Sequence, residues 1–247
     1  MTIYRFGKHP PKLDYRTLRF GHYLTSDITA PPPSYNVLPQ VYENTKSHDP
    51  SVLFPMDGND TYGDCTIAAM AHAVTTFRGL VSSKKDVPSA SSVVKLYFHL
   101  TGGVDSGLNA ADVMSYWRKH PVGGDKILAY AAINPKNHTH VQQAIRMFGG
   151  VYLGFQCQQN CQQQFHDHQP WTPGRLTNDG HAVFAVAYDG DGVTVLTWGS
   201  TQQGTWDWWD ECVDEAYVVL SPEAEKPGFA PGFNFAQLKA DLAVVAN

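Results

Sequence analysis

Apolar residues recur at Ile67, Met70, Ala71, Val74 and Phe77, a three-and-four spacing that predicts a helix from Cys65 to about Leu80 with one buried face. Residues 88–103 predict a second helix ending at a glycine pair, and a third is expected from about Asn109 to Lys119. The run HTHVQQAIRMFGG predicts a fourth, short helix that leads directly into VYLGF, a β-rich segment. Residues 156–170 are polar and glutamine-rich and read as a loop. Beyond them the period changes: HAVFAVAYDGDGVTVLTW is two apolar runs joined by Asp-Gly-Asp-Gly, a hairpin signal, and AYVVL at 216–220 predicts a late strand. Helices early and antiparallel strands late point to an α+β fold whose two halves face each other across a cleft.

The flanks lack such periodicity. Residues 1–55 are rich in proline and polar side chains and read as an extended arm wrapped on the body. The expected organisation is that arm, a main domain over 56–222 (helical half about 56–150, β half about 151–222), and a tail over 223–247 with a short helix packed on it. No internal repeat is evident. A chain of 247 residues with net charge −5 offers no basic excess for nucleic acid. No apolar stretch approaches the 18 residues of a membrane span, and the N-terminus lacks the apolar core of a signal peptide, so the default expectation is a cytoplasmic protein with no nucleic-acid or membrane partner. Without a secretory signal the four cysteines read as free thiols and the two Asn-x-Thr triplets carry no meaning as glycosylation sites. The DGDG segment lacks the remaining ligands of a calcium loop.

Chemistry concentrates around DGNDTYGDCT, where Cys65 opens the first helix. A thiol at a helix N-terminus faces unpaired N–H groups and the positive end of the helix dipole, which favour the thiolate. The alternative is a small hydrophobe beginning a core helix. A nucleophilic cysteine requires a base, an orienting group and oxyanion donors. His72 lies two turns along the same helix, about 10 Å away by helical rise, too far to touch the thiol. His138, His140, His166 and His168 are assigned to polar loops. His181 opens the first hairpin strand, and the second strand returns past it with Thr197 or Trp198 alongside.

The order of these residues resembles the papain-like cysteine peptidases. That family carries an amide side chain six positions before the nucleophile and glycine two before it; here these are Asn59 and Gly63. Its base begins a His-Ala-Val strand, as His181-Ala182-Val183 does. Its orienting residue stands sixteen positions later, before a Trp-Gly pair, and Thr197 occupies that place before Trp198-Gly199. The segment GVDSGLNAADVM resembles the family's glycine-rich subsite wall. The resemblance covers about residues 55–220 and implies Cys65, His181, Thr197 and Asn59 as catalytic residues. It implies Gly63, Asp64, Gly107, Trp198 and Trp171 as substrate-binding. It also implies a peptide or protein substrate and neither cofactor nor metal. The chain further resembles uncharacterised bacterial and phage proteins with an N-D-x-x-G-D-C-T pattern and a similar GFNFAQLKADLA tail, which leaves a virion-associated location open.

The departures are the shorter Asn59 where the family has Gln, Thr197 where it has Asn, Tyr62 at a disulfide position, and Asp64 beside the nucleophile. Asp64 fits if it points to solvent or caps the helix. The expectation is a hydrolase or acyl transferase working through a thiolate–imidazolium pair. Two alternatives stand beside it: a papain-like module that binds peptide without turning it over, and a zinc site at Cys157, Cys161, His166 and His168, whose spacing C-x3-C-x4-H-x-H has suitable donors. The TWDWWDE cluster is either a binding platform or core, with Trp206, Trp208 and Trp209 unassigned.

Overall fold

A computed structural model describes residues 3–81, 86–225 and 230–245. Its helices are α1 (Leu38–Thr45), α2 (Pro50–Leu53), α3 (Cys65–Val81), α4 (Ala90–Leu100), α5 (Ala110–Lys119), α6 (His138–Phe148), α7 (Cys161–His166), α8 (Trp206–Cys212) and α9 (Phe235–Val245). Its strands are β1 (Tyr35–Asn36), β2 (Ala129–Ile133), β3 (Val151–Gln158), β4 (Leu176–Tyr188), β5 (Gly192–Thr197), β6 (Ser200–Thr205) and β7 (Val213–Leu220). The strands join one antiparallel sheet in the order β2-β7-β3-β4-β5-β6, with β1 added to the end of β4.

The sheet is covered on both faces, which explains why its central strand reads as continuous apolar sequence. Ala182, Phe184 and Val186 of β4 join a cluster with α1, α3, α4 and α5, while Val183 and Ala185 join another with α6, α8 and α9. Helix α3 is buried from Cys65 through Thr76, so it is a central helix enclosed on all sides rather than one with a single buried face. Its partners include Tyr152, whose hydroxyl donates to Thr66 O at 3.0 Å, and Phe184, set edge-on to Phe77 at 5.7 Å.

Several expectations are corrected. Residues 1–55 are extended only in part: α1 and α2 lie within them, with Val41 packed so tightly on Gly79 that a Cβ there would meet it at 2.6 Å. Strand β2 falls in the stretch read as purely helical and pairs with β7. The glutamine-rich segment contains α7, and His138 and His140 lie on α6 rather than in loops. Strand β4 begins at Leu176, so His181 sits within it, opposite Phe155. The TWDWWDE cluster forms α8, capped by the Thr205 hydroxyl, with Trp208 and Trp209 buried.

Candidate active site

Two local features set the site. Asp57 and Gly58 both take positive φ, at 57° and 101°, folding the chain so that Asn59 turns inward ahead of α3. On the opposite side Trp198 and Gly199, at φ 48° and 73°, form the two-residue turn between β5 and β6 that positive φ at both centres requires. This turn lays the Trp198 indole on the His181 imidazole, with ring centres 4.6 Å apart and planes 24° from parallel. The indole Nε1 donates to Asn59 Oδ1 at 3.0 Å, linking the two turns.

Cys65, His181, Asn59, Thr197 and Trp198 line one crevice, with Met56 and His72. His181 Nε2 lies 2.8 Å from Thr197 Oγ1, while Nδ1 is buried without a hydrogen-bond partner. Of the positions the hairpin brings alongside, Thr197 supplies the hydrogen bond to the imidazole and Trp198 the stacked ring. Burial pushes the Cys65 thiol up to about 11, against backbone hydrogen bonds from Ala182 and Gly7 that favour the thiolate. Burial, reinforced by nearby His72, pulls His181 down to about 3. Both groups are neutral at pH 7 in this arrangement.

The N-terminal arm contributes to that burial, with Phe6 edge-on to the His181 ring at 5.7 Å. Residues 4–9 run through the cleft as an extended chain. Arg5 N–H donates to Asn59 O at 2.9 Å, and Asn59 Nδ2 returns a bond to Arg5 O at 3.0 Å. Leu108 N–H donates to Gly7 O at 2.8 Å, His9 N–H to Leu108 O at 2.9 Å, and Lys8 N–H to Gly180 O at 3.0 Å. Tyr4 stacks on Trp198 at 4.6 Å and exchanges two bonds with Gln162. The crevice that remains beside Cys65 has a volume of about 10 Å³, at the lower limit for one water molecule. Gly7 is fixed by proximity: a Cβ there would lie 1.8 Å from Gly63 O.

Gly63 and Gly107 both line the cleft against this arm; a Cβ on Gly107 would meet Gly7 O at 2.3 Å. Asp64 neither faces solvent nor caps α3 with its side chain. It is fully buried, and neither carboxylate oxygen makes an aligned hydrogen bond. Burial lifts it to about 8, and lifts neighbouring Asp57, whose Oδ2 lies 3.5 Å from His72 Nε2, to about 7. Trp171, expected on the substrate surface, is instead fully buried in the core. Its Nε1 donates to Cys161 O at 2.9 Å, and it backs Trp198 edge-on at 5.9 Å. The four zinc candidates are not gathered: Cys157 and Cys161 are buried in the core, His166 stacks on Tyr4 at 5.2 Å, and His168 is exposed.

Sequence reasoning missed Gly7 and Lys8 as cleft residues, and the Gly180 carbonyl before His181. The tight Gly-Lys pair in RFGKHPP, an otherwise featureless arm, was the one signal.

No family model matches the chain, and no curated protein matches it. Solved structures do. Xylellain, a cysteine protease from Xylella fastidiosa, aligns over 90% of this chain and 98% of its own with 18% identity and a TM-score of 0.63. The cysteine protease and lectin-like domains of Cwp84, a surface layer associated protein of Clostridium difficile, align over 88% of this chain and 57% of their own, with 12% identity and a TM-score of 0.56. Digestive procathepsin L 3 of Tenebrio molitor larval midgut aligns over 86% and 76%, with 12% identity and a TM-score of 0.52. The fold is papain-like.

Proposed function

We propose that this chain is a papain-like cysteine hydrolase that cleaves a peptide or other amide bond and rests with its own arm in the cleft. The observation that carries the reading is the imidazole held at Nε2 by Thr197, with Nδ1 unpaired, in one crevice with the helix-opening Cys65. With the proton on Nε2, Nδ1 is the basic nitrogen.

Once the arm leaves, Nδ1 takes the Cys65 proton and the sulfur attacks the substrate carbonyl carbon. The C=O π pair moves onto oxygen, which the Cys65 backbone N–H and Asn59 Nδ2 stabilise; that amide already binds a carbonyl, Arg5 O, at 3.0 Å. The tetrahedral intermediate collapses, the C–N bond breaks, and His181 returns its proton to the leaving amine. Water, deprotonated by His181, then attacks the thioester carbonyl; the C–S bond breaks and the thiol is restored. An amine in place of water gives acyl transfer.

In the resting chain the Gly7 N–H faces the Cys65 sulfur. A second reading, a peptide-binding module without turnover, is favoured by the burial of Cys65 and His181, which pushes the thiol up and the imidazole down, away from an ion pair.

The test uses the full chain with Gly7→Val, which drives a side chain into Gly63 O and expels the arm. Incubated with a mixture of unrelated denatured proteins, it is expected to generate new N-termini, and the added Cys65→Ala change to abolish them. Equal product with and without Cys65, or none, contradicts the hydrolase reading.

A further inference from the structure

Lysine is a poor candidate for burial, because its ammonium loses hydration worth several kcal/mol unless other charges replace it. In the arm it is nonetheless Lys8 that is most completely buried: its side chain is 1% exposed, while Arg5, His9 and Pro10 on either side are exposed. The burying surface belongs to the body. Lys8 Nζ donates to Asp214 Oδ2 at 2.9 Å and lies 3.2 Å from Glu215 Oε1, both at the start of β7.

Three features indicate that this pocket is built for a side chain of this shape and charge. First, a glycine stands where the stem passes. A Cβ on Gly154 of β3 would fall 2.0 Å from Lys8 Cε and 2.6 Å from Cδ, while one on Gly180 would meet the Lys8 backbone O at 2.3 Å. Register places Gly154 opposite Glu215 on one side and Ala182 on the other, so its missing side chain opens a slot in the sheet face. Second, the Tyr217 hydroxyl donates to Glu215 Oε2 at 2.9 Å, a contact within β7 that orients the carboxylate without help from the arm. Third, Oε1 is buried and has no aligned hydrogen bond, only the ammonium facing it. Burial raises the Glu215 pKa while Lys8 draws it back, the pattern of an acid awaiting a cation.

The slot is also next to the chemistry. The Lys8 N–H is held by the carbonyl of Gly180, the residue before His181, and Gly7 lies against Gly63, two residues before Cys65. A peptide lying in the cleft therefore places a side chain into this slot within about a residue of the reacting sulfur.

We propose that the Gly154–Asp214–Glu215 slot is a substrate subsite selecting a basic side chain, lysine by its depth, and that the resting chain fills it with Lys8. This rests on the reading that the cleft accepts peptides.

The closing experiment separates the two. The full chain carrying Gly7→Val is titrated with fluorescent IYRFGKHPP and with the same peptide bearing norleucine for lysine. The lysine peptide is expected to bind at least 10-fold tighter, and Glu215→Gln in the protein to remove the difference. Equal affinities, or no saturable binding of either peptide, overturn the subsite. The same protein is then offered a peptide library. Cleavage enriched for lysine or arginine at one position, and losing that enrichment in Glu215→Gln, supports subsite and hydrolase together. Cleavage without basic preference overturns the subsite and leaves the hydrolase standing. Selective binding without any cleavage leaves the subsite standing and removes the hydrolase. If Gly7→Val fails to fold, Lys8→Glu expels the arm by setting like charges against Asp214 and Glu215, and the titrations are read in that chain.

Discussion

The arm covers two polar sites within a few residues of each other and treats them oppositely. At the crevice, Cys65, His181, Asp57 and Asp64 are buried with no full opposite charge set against them, and desolvation shifts all four toward their neutral forms. At the slot, Lys8, Asp214 and Glu215 are brought together as opposite charges. In the proposed hydrolase, holding and reacting would thereby be separated: charge pairing docks the arm at the slot, while the pair at the crevice is kept neutral by loss of water. Silencing of that kind reverses as soon as water returns, since it needs no covalent change.

The comparison breaks most visibly if the arm is expelled. Against a free-cysteine value near 8.5, a thiol held at about 11 exposes far less thiolate at pH 7.5, so Gly7→Val is expected to raise the Cys65 alkylation rate on the order of 100-fold. Mass spectrometry of iodoacetamide-treated protein checks this, and an unchanged rate refutes the arm as the shield. Next in size is Lys8→Met. It keeps the stem but leaves Glu215 buried without a cation, and it is expected to weaken arm docking by about 3 kcal/mol. Hydrogen exchange at the Leu108 and His9 amides, which bond across the arm, reads that loss.

A third prediction addresses the carboxyls. Asp57 and Asp64 have folded pKa values raised from 3.8 to about 7 and about 8, so the stability they contribute is full below pH 4 and is lost as pH rises to 8. His72 and His181, lowered from 6.5 to about 4 and about 3, act oppositely: their contribution is present above pH 6.5 and lost as pH falls through 4 and 3. Asp64→Asn is therefore expected to gain on the order of 5 kcal/mol over the parent at pH 8 and to lose that advantage near pH 4. Urea midpoints at the two pH values decide it, and a gain equal at both excludes buried protonation as its cause.

Smaller still is the orienting hydroxyl. In the Gly7→Val chain, Thr197→Val is expected to slow alkylation at pH 7 about 10-fold and to shift its pH profile upward, with Thr197→Asn restoring both. A uniform drop without a profile shift marks Thr197 as packing only.

How much of this was legible in the sequence follows the same division. Cys65 opens α3 and Thr197 ends β5, positions marked by local signals, a turn before a helix and a hairpin with Trp-Gly at its tip, whereas His181 lies inside β4; it was the resemblance in residue order to papain-like peptidases that grouped the three. The hairpin around DGDG and helices α3, α5 and α6 were equally readable from period and caps. What escaped depends on long-range contact. Lys8 meets Asp214 across more than 200 positions, and the Gly-Lys pair in RFGKHPP, the one local signal, does not mark the lysine as buried. Asp64 was expected to point to solvent or to cap the helix; here it is fully buried beside Gly58, Asn59 and Asp57 instead. Trp171 was misplaced because an aromatic in a polar segment gives no sign of which side it faces. Strand β2 escaped because its AYAAI pattern owes its conformation to β7.

The central claim is that Cys65 and His181 form a reactive pair that the arm keeps neutral. The direct measurement is the pH dependence of Cys65 alkylation in full-length Gly7→Val, with and without His181→Ala. The account predicts reactivity with a midpoint well below pH 8 that rises toward an ordinary thiol value when His181 is removed. Ordinary thiol titration in both chains contradicts it.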